Sequence, residues 1–273
     1  MTVMTAVEVT AEQAWFLGDR LGAGAWPWKL AITAPYADPG DAQHVINRIV
    51  ADLTARAVMV DDSMNEGVAA SVRAVCRARH WLEWVTVAGP DRVLRGVLAR
   101  NPDGSAVAAL RYAQMLTLTP LDVDYAEALV PIVTAGLAEQ RPARFAEFDL
   151  PMDLGVAVDR RIAAGADIAE TLTGLGLSER QAQVMELART GDRVLVEITA
   201  HELTEHGARR DTDVCVNIIN SDVGRILVAP PPGEPRQGGE SGFAPAEPFA
   251  IAVALRDLTA RLPSGSWFPD ESF

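Results

Sequence analysis

The segment His201-Glu-Leu-Thr-Glu-His206 is the first place in the chain where residue types alone suggest chemistry. Histidines flanking glutamates are the ingredients of a zinc hydrolase, in which imidazoles at i and i+4 leave one helical face toward the metal and a carboxylate activates water. Here the histidines are five apart, and on a helix they would diverge by about 140°. The segment also lies between two β-branched runs, where a hairpin tip is expected. It predicts no zinc site. Cys76 and His80 stand four apart and could be drawn as a thiol and its base. No orienting acid accompanies them, and the cysteine falls in an apolar periodic run, so core packing is the reading. Gly22-Ala-Gly24 precedes a strand-like run and lacks both a third glycine and a Lys-Ser/Thr pair, which is the wrong context for a phosphate loop. Asp211 with Asp213, and Asp122 with Asp124, fall at turns, where solvated caps are the ordinary explanation. No constellation of acid, base and nucleophile emerges. The expectation is therefore no catalytic residue, no metal ligand and no cofactor.

Composition narrows the partners. The chain has 273 residues, 49% of them apolar, enough for a substantial core. Its 24 basic and 37 acidic residues give a net charge of -13, which opposes binding to phosphate backbones and anionic membrane surfaces. Nucleic acid and membrane insertion are not expected: no window of about 18 apolar residues occurs, and the N-terminus lacks a basic, then apolar, leader. The two cysteines, Cys76 and Cys215, read as thiols of a reducing, cytoplasmic compartment.

The elements that position these residues centre on an antiparallel meander. Strands are expected at 193–200, 212–219 and 225–229, rich in β-branched residues and separated by turn signals. In the first, Val194, Val196 and Ile198 alternate with Arg193, Leu195, Glu197 and Thr199. A hairpin centred near Gly207 places Glu197 opposite Asn217, because residues paired across it have a constant sum of numbers. One face is then apolar and the other presents Glu197, Thr199, Cys215 and Asn217. Such a face either meets water or docks a partner.

Around the meander, Thr10-Ala-Glu-Gln13 is a capping box opening a helix that ends near Gly22. Trp26–Pro35 reads as a short strand. Helices follow at 41–58 and 64–78, forming a bundle with the first. Strands are expected at 81–87, 94–100, 106–113 and 115–119, and then a helix over 125–137 kinked at Pro131. After a connector at 141–150 come helices at 153–164, 167–173 and from the Ser178-Glu-Arg-Gln181 capping box to Gly191. The Pro/Gly-rich stretch 231–243 predicts a mobile loop, and 248–262 a final helix, with Trp267-Phe268 packing back. Helices, strands and a closing helix thus occur twice in the same order. This implies an α+β, pseudo-two-fold single domain with a central, mainly antiparallel sheet flanked by helical bundles; the repeat halves are expected at about 1–140 and 151–273 within one domain, 1–273.

The words Val9-Thr10 through Trp15-Phe16, Gly22-Ala-Gly24, Pro27-Trp28, Leu30-Ala-Ile-Thr33, Pro35-Tyr36, Ala143-Arg-Phe145, Phe249-Ala-Ile-Ala-Val253 through Leu262-Pro263, and Trp267-Phe-Pro269 resemble the EspG family in order and spacing. These are PE/PPE-specific chaperones of the mycobacterial ESX, or type VII, secretion systems, and the likeness is strongest to the branch serving the third ESX system. The resemblance implies a cytosolic, non-enzymatic chaperone that binds the tip of the PPE subunit of a PE/PPE heterodimer and keeps the pair soluble until export. It also implies the pseudo-two-fold fold read above, and partner contacts through the central sheet surface and the C-terminal helical bundle, here 193–200, 212–219 and 153–189. Weak self-association is left open. Two departures bear on partner choice: a short turn at Asn101–Ser105 and the Pro/Gly-rich 231–243. The competing class is a small-molecule-binding or enzymatic α+β domain using the concave face of the sheet, for which the chemistry is missing.

Overall fold

A computed structural model describes residues 6–101, 103–231 and 239–268. The chain divides into two compact units, one of 1–85, 92–124 and 200–211, the other of 86–91, 125–199 and 212–273. In chain order the first holds strand β1 (Val7–Thr10), helices α1 (Ala11–Arg20) and α2 (Ala42–Ala55), a small hairpin of β2 (Met59–Val60) and β3 (Ser63–Met64), and helix α3 (Glu66–Cys76). Strands β4 (His80–Val87), β5 (Val93–Arg100), β6 (Ser105–Tyr112) and β7 (Met115–Asp122) follow. The second holds α4 (Leu129–Val133), β8 (Phe148–Pro151), α5 (Met152–Ala163), α6 (Ile168–Gly174) and α7 (Glu179–Arg189). The chain continues with β9 (Val194–Leu203), β10 (Arg209–Asp211), β11 (Val216–Ser221), β12 (Gly224–Ala229), β13 (Glu240–Pro245) and α8 (Pro248–Ala260), all in the second unit save the end of β9 and β10. The end of the β9–β10 hairpin, 200–211, counts with the first unit, and the last two residues of β4 with the turn after it, 86–91, with the second.

The two units share one topology. Strand order is β4-β5-β6-β7-β1 in the first and β9-β11-β12-β13-β8 in the second. Each is a four-strand meander whose last strand also pairs, antiparallel, with the strand that precedes the unit's helices. This is the pseudo-two-fold, antiparallel α+β class that the element order predicts.

Local chemistry explains the elements. Thr10 caps α1: its hydroxyl accepts from the Gln13 amide at 3.1 Å while its own N–H donates to Gln13 Oε1 at 2.9 Å, so two otherwise orphaned donors are satisfied. In the first unit Leu17, Ile49, Leu53 and Val72 of the helices close over Val97, Val107, Ala109, Leu116 and Leu118 of the sheet. Trp84 is fully buried, and it fits only because Gly96 lies beneath it: a Cβ there would fall 2.0 Å from the indole. In the second unit Leu195, Ile219, Ile226 and Phe243 pack under α5–α7. The alternate residues Val196, Ile198, Val216 and Ile218 are fully buried, and α8 packs on β11 and β12.

Several expectations are corrected. Trp26–Pro35 is not a strand: Trp28–Leu30 forms a single 3-10 turn that closes on Ala31 in the left-handed region, φ 51°. Its carbonyls are taken by arginine side chains, not by a neighbouring strand. The helix expected over 125–137 is a 3-10 turn, Ala126–Ala128, followed by the short α4. Pro131 therefore lies in a first turn, where a missing N–H costs nothing and no kink arises. The connector 141–150 supplies edge strand β8. Of the loop expected at 231–243, residues 232–238 lie outside the described residues, and Glu240–Gly242 open β13 against β12 and β8. Trp267 and Phe268 are buried, as expected.

Candidate partner-binding face

Strands β9 and β11 pair with Glu197 directly across from Asn217, and Val196 from Ile218. The hairpin itself is centred one residue earlier than expected, on His206, since Leu203 faces Arg209 and His201 faces Asp211; continued, that register would set Glu197 across from Cys215, and a two-residue shift over 212–215 brings Asn217 there instead. Gly207 supplies the positive φ, 75°, of the turn. The strand expected over 212–219 is, however, two pieces. β10 pairs with 201–203, residues 212–215 leave the ladder, and pairing resumes at Val216.

That departure opens a cavity. About 330 Å³ is enclosed by Glu197, Thr199, Thr212, Asp213, Cys215 and Asn217, and bounded further by Val228, Pro230, Glu240 and Ser241. The four residues singled out from the sequence, all half-buried, thus line one space. A groove of about 700 Å³ runs on from it beneath α5 and the end of α7, lined by Val156, Ile162, Leu195, Ile219 and Phe243, and it shares Asn217, Val228 and Ser241 with the smaller cavity. One sheet face therefore passes from a polar, acidic end to an apolar end. Neither Glu197 nor Asp213 has a hydrogen-bond or ion-pair partner among the described residues.

The cysteines are poor nucleophiles. Burial pushes the Cys215 thiol up, the hydrogen bond donated by Asn217 Nδ2 at 3.4 Å opposes this, and the charge of Glu197 adds to it. Burial carries Cys76 up to about 12. A thiolate is disfavoured at both.

The His201–His206 segment corrects another expectation. It lies on the hairpin, but only His206 is exposed; the His201 ring is buried. Its Nδ1 is 2.7 Å from Asp211 Oδ1, and Arg209 Nε donates to that same oxygen at 2.6 Å. Asp211 is therefore part of a network, not a solvated cap. Glu83 on β4 is fully buried; its Oε1 accepts from Trp81 Nε1 at 2.9 Å, while its Oε2 stands 3.6 Å from both His201 Nε2 and Arg209 Nη2, beyond hydrogen-bond reach. The Trp81 indole stacks on His201 at 5.3 Å, and the Arg209 guanidinium lies 5.4 Å from the Trp81 ring. Burial is the largest influence on His201 and holds it below its ordinary value despite both carboxylates. The cluster fastens the hairpin end to β4. Sequence reasoning missed it, although one signal was present: Glu83 interrupts the apolar run Trp81–Val85.

The site is thus a shaped, chemically graded sheet face in a repeated α+β fold. The chain belongs to the EspG family: the profile described as "EspG family" matches residues 10–257. It is similar to the ESX-3 secretion-associated protein EspG3 of Mycolicibacterium smegmatis, 44% identical over 97% of this chain and 90% of that one. It is likewise similar to EspG3 of Mycobacterium tuberculosis, 39% identical over 97% and 94%. EspG1 of M. smegmatis is 29% identical over 97% and 90%, so the likeness favours the EspG3 branch. The fold matches that of the M. tuberculosis type VII secretion system chaperone EspG5, solved in complex with a PE25-PPE41 dimer. Its TM-score is 0.81, with 20% identity over 96% of this chain and 99% of that chain.

Proposed function

We propose that this chain is a cytosolic, non-enzymatic chaperone of an ESX-3 secretion system. It binds a PE/PPE heterodimer through the PPE subunit, keeps the pair soluble and delivers it for export. The face carrying Glu197, Thr199, Cys215 and Asn217, with the groove beneath α5, is its partner surface. The observation that carries this reading is the continuity of the two cavities through Asn217, Val228 and Ser241, which offers an apolar trough ending in polar groups that have room for a guest. Hydrophobic contact then supplies affinity and the polar end orients the guest. The test is co-expression with the PE/PPE pair encoded beside an ESX-3 system and gel filtration of the tagged protein. A stoichiometric ternary complex is expected. Elution of the chaperone alone, or with a bound metabolite and no PE/PPE pair, overturns the proposal.

A further inference from the structure

A second surface, on the first unit, is built differently. Arg95 on β5 and Arg111 on β6 are direct cross-strand partners, a like-charge pairing that costs stability on a sheet. Neither finds a carboxylate among the described residues. Arg111 Nη1 donates to the carbonyls of Leu30, at 2.6 Å, and Ala31, and Arg95 Nη1 reaches the carbonyl of Lys29 at 3.4 Å. Burial and the neighbouring Arg95 both weaken the hold of Arg111 on its proton. Arg111 Nε also donates to the Ala113 carbonyl at 3.0 Å. The two guanidiniums thus clamp the 3-10 turn Trp28–Leu30, already bounded by Pro27 on one side and by left-handed Ala31 on the other, and each keeps its Nη2 uncommitted among the described residues. The turn displays Trp28, whose side chain is 66% exposed, with Lys29 Nζ 5.0 Å from the indole ring. An immobilised, exposed tryptophan among three cations that lack a counter-anion among the described residues is unexpected in a chain of net charge -13.

We infer that the Trp28–Lys29–Arg95–Arg111 patch is a docking surface for an acidic peptide segment of a partner protein, one carrying apolar side chains between its carboxylates. Indole area supplies hydrophobic contact at little conformational cost, and the guanidinium nitrogens not committed to the turn, Nη2 of Arg95 and of Arg111, can donate charge-assisted hydrogen bonds to carboxylates. A second copy of this chain fits poorly, because a two-fold contact through this patch would bring cations against cations. Extended polyanions such as nucleic acid are repelled by the acidic remainder of the chain, whereas a short peptide feels mainly charges within about 8 Å. This surface is independent of the sheet face assigned to the PE/PPE pair.

The experiment titrates the full chain with a peptide of alternating Glu and Leu, following tryptophan emission. Peptides of alternating Gln and Leu, and of alternating Lys and Leu, are the controls. Saturable binding of the Glu peptide alone is expected. It should weaken in high salt, fall about tenfold in Arg95→Gln, as loss of one charged hydrogen bond implies, and vanish in Trp28→Ala when read by calorimetry. Lys29→Gln, expected to weaken binding in the same direction, serves if Arg95→Gln does not fold. Equal binding of the three peptides, no saturable binding, or unchanged affinity in the variants overturns the inference. So does a dimer seen by sedimentation without peptide and lost in Trp28→Ala.

Discussion

Replacing Glu197 by arginine separates a partner surface from a wetted one. Glu197 is half-buried and has no partner within the chain among the described residues, so its removal breaks no internal bond. The incoming guanidinium finds Asp213 and Glu240 lining the same cavity, and such surface pairs contribute only about 0–1 kcal/mol. Folding stability should therefore change by about 0.5 kcal/mol or less. Binding should respond far more. The longer side chain fills a cavity of about 330 Å³ and reverses the charge that a guest group matched to Glu197 would meet, leaving that group buried without its partner, which costs about 2–5 kcal/mol, or about thirtyfold to a few thousandfold in Kd. The assay is calorimetric titration of wild type and Glu197→Arg with the PE/PPE heterodimer, beside urea denaturation of each. Cys215 gives an internal control: the Glu197 charge raises its thiol, so in a correctly folded variant the thiol should react faster with a disulfide reagent. Equal affinity in the two proteins, with Cys215 responding as described, would refute the assignment of this face.

Further outcomes follow from the same structure. Gly96→Ala should cost at least the roughly 1–3 kcal/mol typical of overpacking, because the new Cβ would lie 2.0 Å from the Trp84 indole; a denaturation midpoint within error of wild type would show that the indole moves freely. Acid should destabilise the hairpin end. With His201 held below its ordinary value of 6.5, the unfolded chain takes up the proton first, so the stabilisation is complete above about pH 6.5 and is lost as pH falls toward the folded value. Amide protection factors across 200–211, each referred to the intrinsic exchange rate at its own pH, should fall from neutral to mildly acid pH, and do so less in His201→Gln; protection that rises in acid would reverse the sign. Zinc should not co-purify, since His201 Nδ1 is engaged by Asp211 while His206 is exposed; stoichiometric metal lost in a His201→Ala, His206→Ala double variant would contradict this.

What the sequence disclosed and what it withheld divide along a physical line. Period-two alternation is a local signal, and it was sufficient to put Glu197 and Asn217 on one face; that they pair directly depends also on the two-residue shift over 212–215, because the hairpin is centred on His206 and not on Gly207. Capping boxes at Thr10 and Ser178 are equally local, and both formed. The misread segments owe their conformation to groups elsewhere in the chain. Trp28–Leu30 looks extended by composition, yet two arginines from distant strands hold its carbonyls in a turn. Glu240–Pro245 looks like loop because glycine and proline dominate its neighbourhood, yet Phe243, stacked on Phe148 at 4.9 Å, anchors a strand whose two neighbours supply the hydrogen bonds. The cavity could not be read either, since it exists only where 212–215 leave a ladder that alternation would have continued.

Glu83 is the most instructive of these residues. A carboxylate in the apolar run Trp81–Val85 must either face water or bring its own partners, because an unpaired buried charge costs several kcal/mol. Here it is fully buried, and its partners are Trp81 from its own strand with His201 and Arg209 from the hairpin. Half of the apparent metal motif thus has a structural role: the His201 imidazole and the Arg209 guanidinium on the hairpin face the buried acid on β4. The anomaly to follow in the sequence was the lone acid in an apolar strand, which His201 faces and His206, exposed, does not.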